Sequence, residues 1–491
     1  MTVAVLHPLG GSGPKRSPIT EERLAGVLAD QRAAAVREGT PGAAQRRADL
    51  DKLLKAVLAN QVAIAEAIAA DFGHRSPVET ALAEVYTTVD TIRHARRHLG
   101  RWMRPRRRPV SLPFLPARAQ VVYQPLGVVG IISPWNYPFY LALSPLIGVL
   151  AAGNRAMIKP SELVPRTADL IENLIADTFA EDQVAVVTGG VTLGEVMAGL
   201  PFDHLLFTGS TRVGRLVMRA AAANLTPLTL ELGGKSPVIV APGFDLERAA
   251  RSIVAGKLLN AGQTCIAPDY VLTPEGTLDA LVAQIKLFVA RMYPRLGDNP
   301  DYSAIVNERH FARLNGLVED AVDQGAQVIE INPAGEDLTA GGPGPGLKLA
   351  PKLVIEPSDR MQVMQDEIFG PILPIRSYRV LDDALADVAA RPRPLALYYF
   401  DSDARRIERV LGETVSGGVS INETLLHVAQ EALPFGGVGP SGMGRYHGFD
   451  GFESFSHKKG VFRQSRLNGT ALMHPPYGKL ARTMLKTLIG R

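Results

Sequence analysis

The chain has 491 residues, 46% of them hydrophobic and 21% charged, with a formal net charge of +4. That length asks for two or three domains, the composition is that of a packed globular protein rather than a disordered one, and so small a charge gives no reason to expect a nucleic-acid partner. A single cysteine excludes any intramolecular disulfide, and His/Cys metal spacings are absent, so no metal is expected and a reducing, cytoplasmic setting fits.

The opening segment, Met1–Pro18, lacks the charged-then-apolar order of a secretory signal and reads as a loose arm rich in Gly, Pro and Ser. From about Ile19 to Leu99 the pattern is helical. Leu50, Leu53, Leu54, Val57, Leu58, Ile64 and Ile68 recur at three- and four-residue spacing, as one buried face requires. A basic, proline-marked stretch follows, Arg101-Trp-Met-Arg-Pro-Arg-Arg-Arg-Pro109. Strands are expected at 118–124 and 127–132. The apolar run Leu141–Ala152, broken by Pro145 and Gly148 and followed by Gly153, falls short of the roughly 20 residues needed to cross a bilayer. Strand-like and helical runs then alternate: strands at 156–159, 184–188 and 204–207, helices at 166–179 and 212–223. A second alternation starts near Leu230, with strands at 237–241 and 270–273 and helices at 246–260 and 278–292. The expected fold is therefore two α/β units with parallel sheets, meeting near Glu231. The stretch 332–347 reads as an exposed, turn-rich excursion. The tail Lys479–Ile489 could form a short basic amphipathic helix, whose bland reading is a solvated, frayed end. The rival reading is transient peripheral contact with an anionic membrane surface.

Three places carry chemistry. Cys265 lies in Asn260-Ala-Gly-Gln-Thr-Cys-Ile-Ala-Pro268, just past an expected helix. A lone cysteine is often a small inert hydrophobe, but Gly262, Gln263 and Thr264 suit an exposed loop, where a thiolate can be reached and activated. Glu231 stands at the end of an apolar strand, where a carboxylate is costly unless it is functional or bonded to nearby backbone amides. Asn136, between Pro134 and Pro138, is either a turn residue or an oxyanion donor. For an anionic ligand the best segment is Gly209-Ser-Thr-Arg-Val-Gly214, which leaves a strand and opens a helix. Gly437-Val-Gly-Pro-Ser-Gly442 matches a dinucleotide fingerprint by letter only, because Pro440 interrupts it and no strand–turn–helix surrounds it.

Pro134-Trp-Asn-Tyr-Pro138, Ile158-Lys-Pro-Ser161, Phe207-Thr-Gly-Ser210, Glu231-Leu-Gly-Gly-Lys-Ser-Pro237, Gly262-Gln-Thr-Cys265, Glu367-Ile-Phe-Gly-Pro371 and Pro434-Phe-Gly-Gly437 together resemble, in this order, the signatures of the aldehyde dehydrogenase superfamily. Cys-Ile-Ala-Pro-Asp-Tyr270 and Ser441-Gly-Met-Gly-Arg-Tyr-His-Gly448 look like its class 3 branch, which includes bacterial coniferyl-aldehyde dehydrogenases. The resemblance spans about residues 20 to 465. It implies NAD(P)-dependent oxidation of an aldehyde, aryl such as coniferaldehyde or medium- to long-chain aliphatic, to the acid. Cys265 would be the nucleophile, forming first a thiohemiacetal and then a thioester. Glu231 would be the base for thioester hydrolysis, and Asn136 with the Cys265 backbone N–H would be the oxyanion donors.

The resemblance also places Gly209, Ser210, Thr211, Arg212, Val213 and Gly214 at the cofactor diphosphate and Lys159, Ser161 and Glu162 near the adenosine ribose. Glu367 and Phe369 fall near the nicotinamide ribose, with Pro134, Trp135 and Leu232 also in the cofactor site. Glu162 could block a 2′-phosphate or swing away from it, so NAD and NADP both stay open. Tyr137, Tyr140, Phe435 and His447 are expected around the substrate. The implied parts are an arm (1–18), a dinucleotide-binding domain (19–230), a catalytic domain (231–433) and a basic tail (471–491). A small antiparallel oligomerisation element would come from 111–124 and 434–470, in a homodimer. Glu231 argues against the relatives that pass the thioester to coenzyme A. Two other readings are a cysteine-dependent esterase on the same groups and a non-catalytic dinucleotide-binding scaffold. An intact Cys265, Glu231 and Asn136 weighs against the scaffold.

Overall fold

The computed structural model describes residues 20–338 and 346–490, so the expected arm and the centre of the 332–347 excursion lie outside the described residues. The helical spacing after residue 40 folds into Ala43–Ala59 and Gln61–Phe72, which bury Leu50, Leu53, Val57, Ile64 and Ile68 completely. Leu58 departs from the expected face: it is 40% exposed, because the helix ends at Asn60 and the next begins at a new angle. Thr87–Trp102 packs on Ala43–Ala59 and on Tyr140–Ala152, with Ile92, Leu99 and Trp102 inward.

The first large sheet has the strand order Gly442–Met443, Leu228–Glu231, His204–Thr208, Val128–Ile132, Arg155–Lys159, Val184–Val186. All pairs are parallel except the first. Its four strands at 128–132, 155–159, 184–186 and 204–208 are buried along their whole length, which is why they read as unbroken apolar runs rather than alternating ones. From Val128–Ile132 the chain moves outward to 155–159 and 184–186, then returns to lay 204–208 against the opposite side of 128–132. The carboxyl ends of the strands flanking this reversal form the crevice where open α/β sheets take ligands.

The second sheet runs Gln327–Glu330, Lys352–Ile355, Ile372–Tyr378, Tyr270–Pro274, Pro237–Val240, Ala396–Phe400, Gly418–Ile421, again parallel apart from its first pair. Glu231 ends the last parallel strand of the first sheet and Pro237 opens a strand of the second. A third sheet is small and antiparallel: Arg106–Arg108, Arg118–Pro125, Ser456–Arg463.

This small sheet differs from the sequence expectation in three ways. Arg106–Arg108 pairs with 119–121, although it reads only as a basic stretch. Residues 112–114 form a single helical turn rather than strand. Most of the stretch after Pro434 returns to the first sheet before Ser456 reaches the small one. Gly442–Met443 lies along Leu230–Glu231, and Gly448–Ser454 packs on Tyr140–Ala152. The return depends on Gly442, at φ 144°, where a Cβ would collide with the Leu230 carbonyl oxygen. No single helix among the described residues is long and apolar enough to cross a membrane. Lys479–Ile489 does form a helix, with Ala481 inward and Leu480, Leu485, Leu488 and Ile489 exposed.

Candidate active site

The helix Leu246–Leu258 runs into a turn with three successive left-handed residues: Asn260 at φ 52°, Ala261 at φ 50° and Gly262 at φ 77°. Such a backbone persists only where its surroundings over-determine it. Here Asn260 N–H donates to Glu79 Oε1 at 3.1 Å, and its side-chain amide donates to the carbonyls of Asn136 (3.0 Å) and Gln263 (3.2 Å). Gln263 is the hub. It donates to the Asn260 and Ala304 carbonyls at 3.0 and 2.9 Å and accepts from Val306 N–H at 3.0 Å. The expectation of an exposed loop at 262–264 is therefore corrected: Gln263 is fully buried, since every polar atom of its amide has a partner inside the protein. At Gly262 a Cβ would strike the Gly370 carbonyl oxygen.

Cys265 comes off this stiff turn and is partly open to a cavity of about 240 Å³. Burial of the sulfur, with Glu367 and Glu231 nearby, pushes its thiol up to about 12, while the backbone N–H groups of Cys265 and Ile266 pull the other way. The same cavity brings together Glu231, Asn136, Pro134, Trp135, Gly209, Ser210, Leu232, Glu367 and Phe369 of the expected residues. Glu231 is 2% exposed and neither of its carboxyl oxygens has a partner among the described residues, so backbone amides there do not hold it. Burial raises its carboxyl well above the ordinary range. Asn136 is buried on the loop after strand Val128–Ile132, and its amide nitrogen donates to the Gln263 carbonyl at 3.1 Å, one loop away from Cys265.

Glu367 is held differently. Burial, then the neighbouring Asp269, pushes its carboxyl up to about 8, while Gly234 N–H bonds to it and holds it down in part. Asp269 also accepts from Ile368 N–H at 3.1 Å and pairs with Lys235, so Glu367 sits on a tethered loop ahead of strand Ile372–Tyr378. A Cβ at Gly233 would take the space of the Glu367 carboxylate and force that side chain to move.

The family model for the aldehyde dehydrogenase family matches residues 20–461. The chain belongs to the aldehyde dehydrogenase family. A probable coniferyl aldehyde dehydrogenase of Pseudomonas aeruginosa is 52% identical over 96% of this chain and 97% of that relative. A coniferyl aldehyde dehydrogenase of a Pseudomonas sp. is 48% identical over 97% and 98%. Among solved structures, a substrate-bound Staphylococcus aureus AldH superposes with a TM-score of 0.86 at 39% identity, over 94% of this chain and 98% of that one. This aldehyde dehydrogenase is thus an enzyme of the class 3-like bacterial branch that oxidises an aldehyde with NAD or NADP.

The residues present fit such a dinucleotide. Glu231 with both oxygens free, Glu367 with Oε1 free and Thr208 with its hydroxyl free are buried polar groups, and all three line the cavity at the sheet reversal. Strand His204–Thr208 leads through Gly209 to Ser210, whose hydroxyl accepts from Val213 N–H at 3.4 Å and caps the helix Thr211–Ala222. Thr211, Arg212, Val213 and Gly214 continue up that helix rather than lining the cavity. Gly214 is a packing residue, where a Cβ would come to 2.7 Å from Leu232. Lys159 ends its strand with Nζ 3.0 Å from Glu162, and Ser161 Oγ accepts from Leu163 N–H. The glycine run 437–442, set aside as a phosphate binder, is a turn closed by Val438 N–H on Ser441 Oγ. It backs onto Thr211, which donates to the Pro440 carbonyl.

None of the four expected substrate residues lines this cavity. Tyr137 hydrogen-bonds Thr264 Oγ1 at 2.7 Å under the Arg75 guanidinium, which places it behind the cysteine loop. Tyr140 hydrogen-bonds His447 Nε2 at 3.2 Å, and Phe435 stacks on His447 at 5.0 Å, in an aromatic cluster completed by Tyr446. Burial, then the neighbouring Tyr140, Glu231 and Cys265, raises the Tyr446 phenol. The sequence reading missed Leu141, Thr208, Gly233, His310 and Arg313 in the cavity wall. Leu141 and Gly233 each neighbour a residue already singled out. His310 and Arg313 sit on the helix Glu308–Asp323, whose one-turn spacing places them together but carries no motif.

Proposed function

We propose that Cys265, giving up its thiol proton to water, adds as the thiolate to the aldehyde carbon and that the resulting oxyanion is held by the Asn136 side-chain amide and the Cys265 backbone N–H. NAD or NADP, when bound, would supply the hydride acceptor. Loss of hydride leaves an acyl group on the sulfur, and Glu231 takes a proton from the water that cleaves it, returning the acid and the free thiol. Burial raises the Glu231 carboxyl, so its ionised form is a stronger base than an ordinary carboxylate. Gly209 and Ser210 at the helix start would meet the diphosphate, Lys159, Ser161 and Glu162 the adenosine ribose, and Glu367 and Phe369 the nicotinamide ribose.

The substrate in this reading is an aryl aldehyde of the coniferaldehyde type. Its support is the name shared by relatives 48–52% identical over nearly the full chain. Trp135 and Phe369, 5.4 Å apart edge to face in the cavity wall, suit a flat conjugated substrate. The enzyme works as a cytoplasmic homodimer. Gly418–Ile421 and Ser456–Arg463 each end their sheet with one unpaired edge, and a partner's strand is the natural cover for such edges.

One observation carries the mechanism: Cys265 and Glu231 open onto one cavity, and the two Glu231 oxygens are spoken for by nothing else. In Glu231→Gln we expect a burst of one reduced cofactor per chain, slow turnover afterwards, and intact-mass spectra showing the acyl group on Cys265. A protein that turns over coniferaldehyde but never carries the adduct would overturn this reading.

A further inference from the structure

Asn136 hangs from the first sheet and Cys265 from the second, so neither sheet alone fixes the distance between them. One segment touches both loops. Residues 74–84 leave the helix Gln61–Phe72 and pass through Pro77–Thr80 into one wide helical turn, Ala81–Tyr86. That turn leaves Leu82 and Tyr86 outside and sends Glu84 inward, where it is fully buried.

Toward the second sheet the segment is sewn at several points. The His74 carbonyl accepts from Ala304 N–H at 2.9 Å, Ser76 N–H meets Ser303 Oγ at 3.3 Å, and Glu79 accepts from Ser303 Oγ and from Asn260 N–H. Toward the first sheet it grips the Asn136 loop from both ends. Arg75 Nη1 donates to the Asn136 carbonyl at 2.8 Å and to Glu84 Oε1 at 2.9 Å. Glu84 Oε2 accepts from the N–H groups of both Phe139 and Tyr140 at 2.9 Å, where the helix Tyr140–Ala152 begins. The Arg75 guanidinium also lies 4.7 Å over the Tyr137 ring. Arg75 and Glu84 together therefore fasten residues 136, 137, 139 and 140, and both side chains are fully enclosed.

We propose that the buried Arg75–Glu84 pair is a positioning device that holds the Asn136 amide at the distance from Cys265 that the oxyanion requires. This rests on the role given above to Asn136. The Glu79 arm holds the cysteine loop and the Arg75–Glu84 arm holds the donor loop, reinforcing the direct bonds between the two loops, Asn260 amide to the Asn136 carbonyl and Asn136 amide to the Gln263 carbonyl. Neither residue touches substrate or cofactor. Preorganised donors lose their effect when they are displaced by fractions of an ångström, so slackening this grip slows the chemical step and leaves aldehyde binding nearly untouched.

The test is a double-mutant cycle on the pre-steady-state burst of reduced cofactor in the full-length enzyme. Asn136→Ala should slow the burst by about 10²–10³; if it does not, the role of Asn136 falls, and that failure is distinct from any failure of the clamp. Arg75→Met combined with Glu84→Gln removes both members of the ion pair, so neither is left as a lone buried charge, and Glu79 keeps its bonds from Ser303 and Asn260. We expect this variant to bind cofactor normally, to keep its aldehyde KM within about threefold and to slow the burst by about 10–10². Added to Asn136→Ala, it should slow the burst by less than about threefold more, because the group it positions is already gone. Arg75→Lys keeps a donor for the Asn136 carbonyl and should retain most of the rate. Full additivity of the two lesions, or an undiminished burst in Arg75→Met with Glu84→Gln, would refute the proposal.

Discussion

Cys265 is the one cysteine in the chain, so any thiol reagent reads it alone. In the cofactor-free enzyme its thiol is pushed up to about 12 by burial and by Glu367 and Glu231. At pH 8 about one sulfur in 10⁴ is then thiolate, against roughly one in ten for an ordinary thiol near pH 9. A more basic thiolate is also a better nucleophile, with a Brønsted slope of about 0.4–0.5, which returns roughly a factor of 20 over this shift. Alkylation by iodoacetamide at pH 8 should therefore run about 50-fold slower than for an exposed cysteine peptide. The rate should climb about tenfold per pH unit from pH 7 to 10 without levelling. Glu367→Gln removes the leading repulsive carboxylate and should raise the rate at every pH above 8, where that carboxyl is charged in the parent enzyme. Stopped-flow or mass-spectrometric labelling measures all of this on the purified protein. A plateau beginning below pH 9 would show that the resting sulfur is already activated, and the reasoning from burial would be wrong.

The same Glu367 makes a stability prediction. Its carboxyl is raised from the ordinary range to about 8, so the folded state binds more protons than the unfolded state between those limits, and folding stability falls as pH climbs through them. Glu367→Gln should match the parent melting temperature at pH 5 and exceed it at pH 9; equal melting temperatures at both would sink the assignment. At Gly233 an added methyl would occupy the place of the Glu367 carboxylate, so Gly233→Ala should raise the cofactor KM at least tenfold with little change in melting temperature. An unchanged KM, measured by titrating NAD at saturating aldehyde, would mean that the carboxylate moves aside at no cost to the cofactor site.

The parallel strands were legible because burial on both faces leaves runs with no polar interruption, and Val128–Ile132, His204–Thr208 and Tyr270–Pro274 lie within a residue or so of their expected limits. Arg106–Arg108 was not, because three consecutive arginines make a strand only when 118–125 supplies the partner. Gly442–Met443 escaped for the same reason: two residues become strand through pairing with Leu230–Glu231, not through any propensity of their own. Within the site, most groups that open onto the cavity sit in recognisable local motifs, His310 and Arg313 excepted. The groups that hold them do not. Arg75, Glu79 and Glu84 look in sequence like ordinary helix-surface charges, and only the wide turn at 81–86 and the crossing of two sheets turn them inward. Gln263 misled for a related reason, since a polar residue beside a glycine suggests solvent until four partners from three segments are seen around it.

The strand carrying Glu231 has its outer flank covered by only two residues, contributed from more than two hundred positions further along the chain. Everything up to Leu433 can be in place and that seam still stands open to water, beside a carboxyl whose basicity comes from being dry. In a chain nicked between Pro434 and Ser441 that flank would open, and a wetted Glu231 carboxyl would fall back toward the ordinary range, where it is the weaker base. If Glu231 acts as proposed above, competence of the second half-reaction waits on a two-residue seam, Gly442–Met443, that forms only once 443 of the 491 residues are in place.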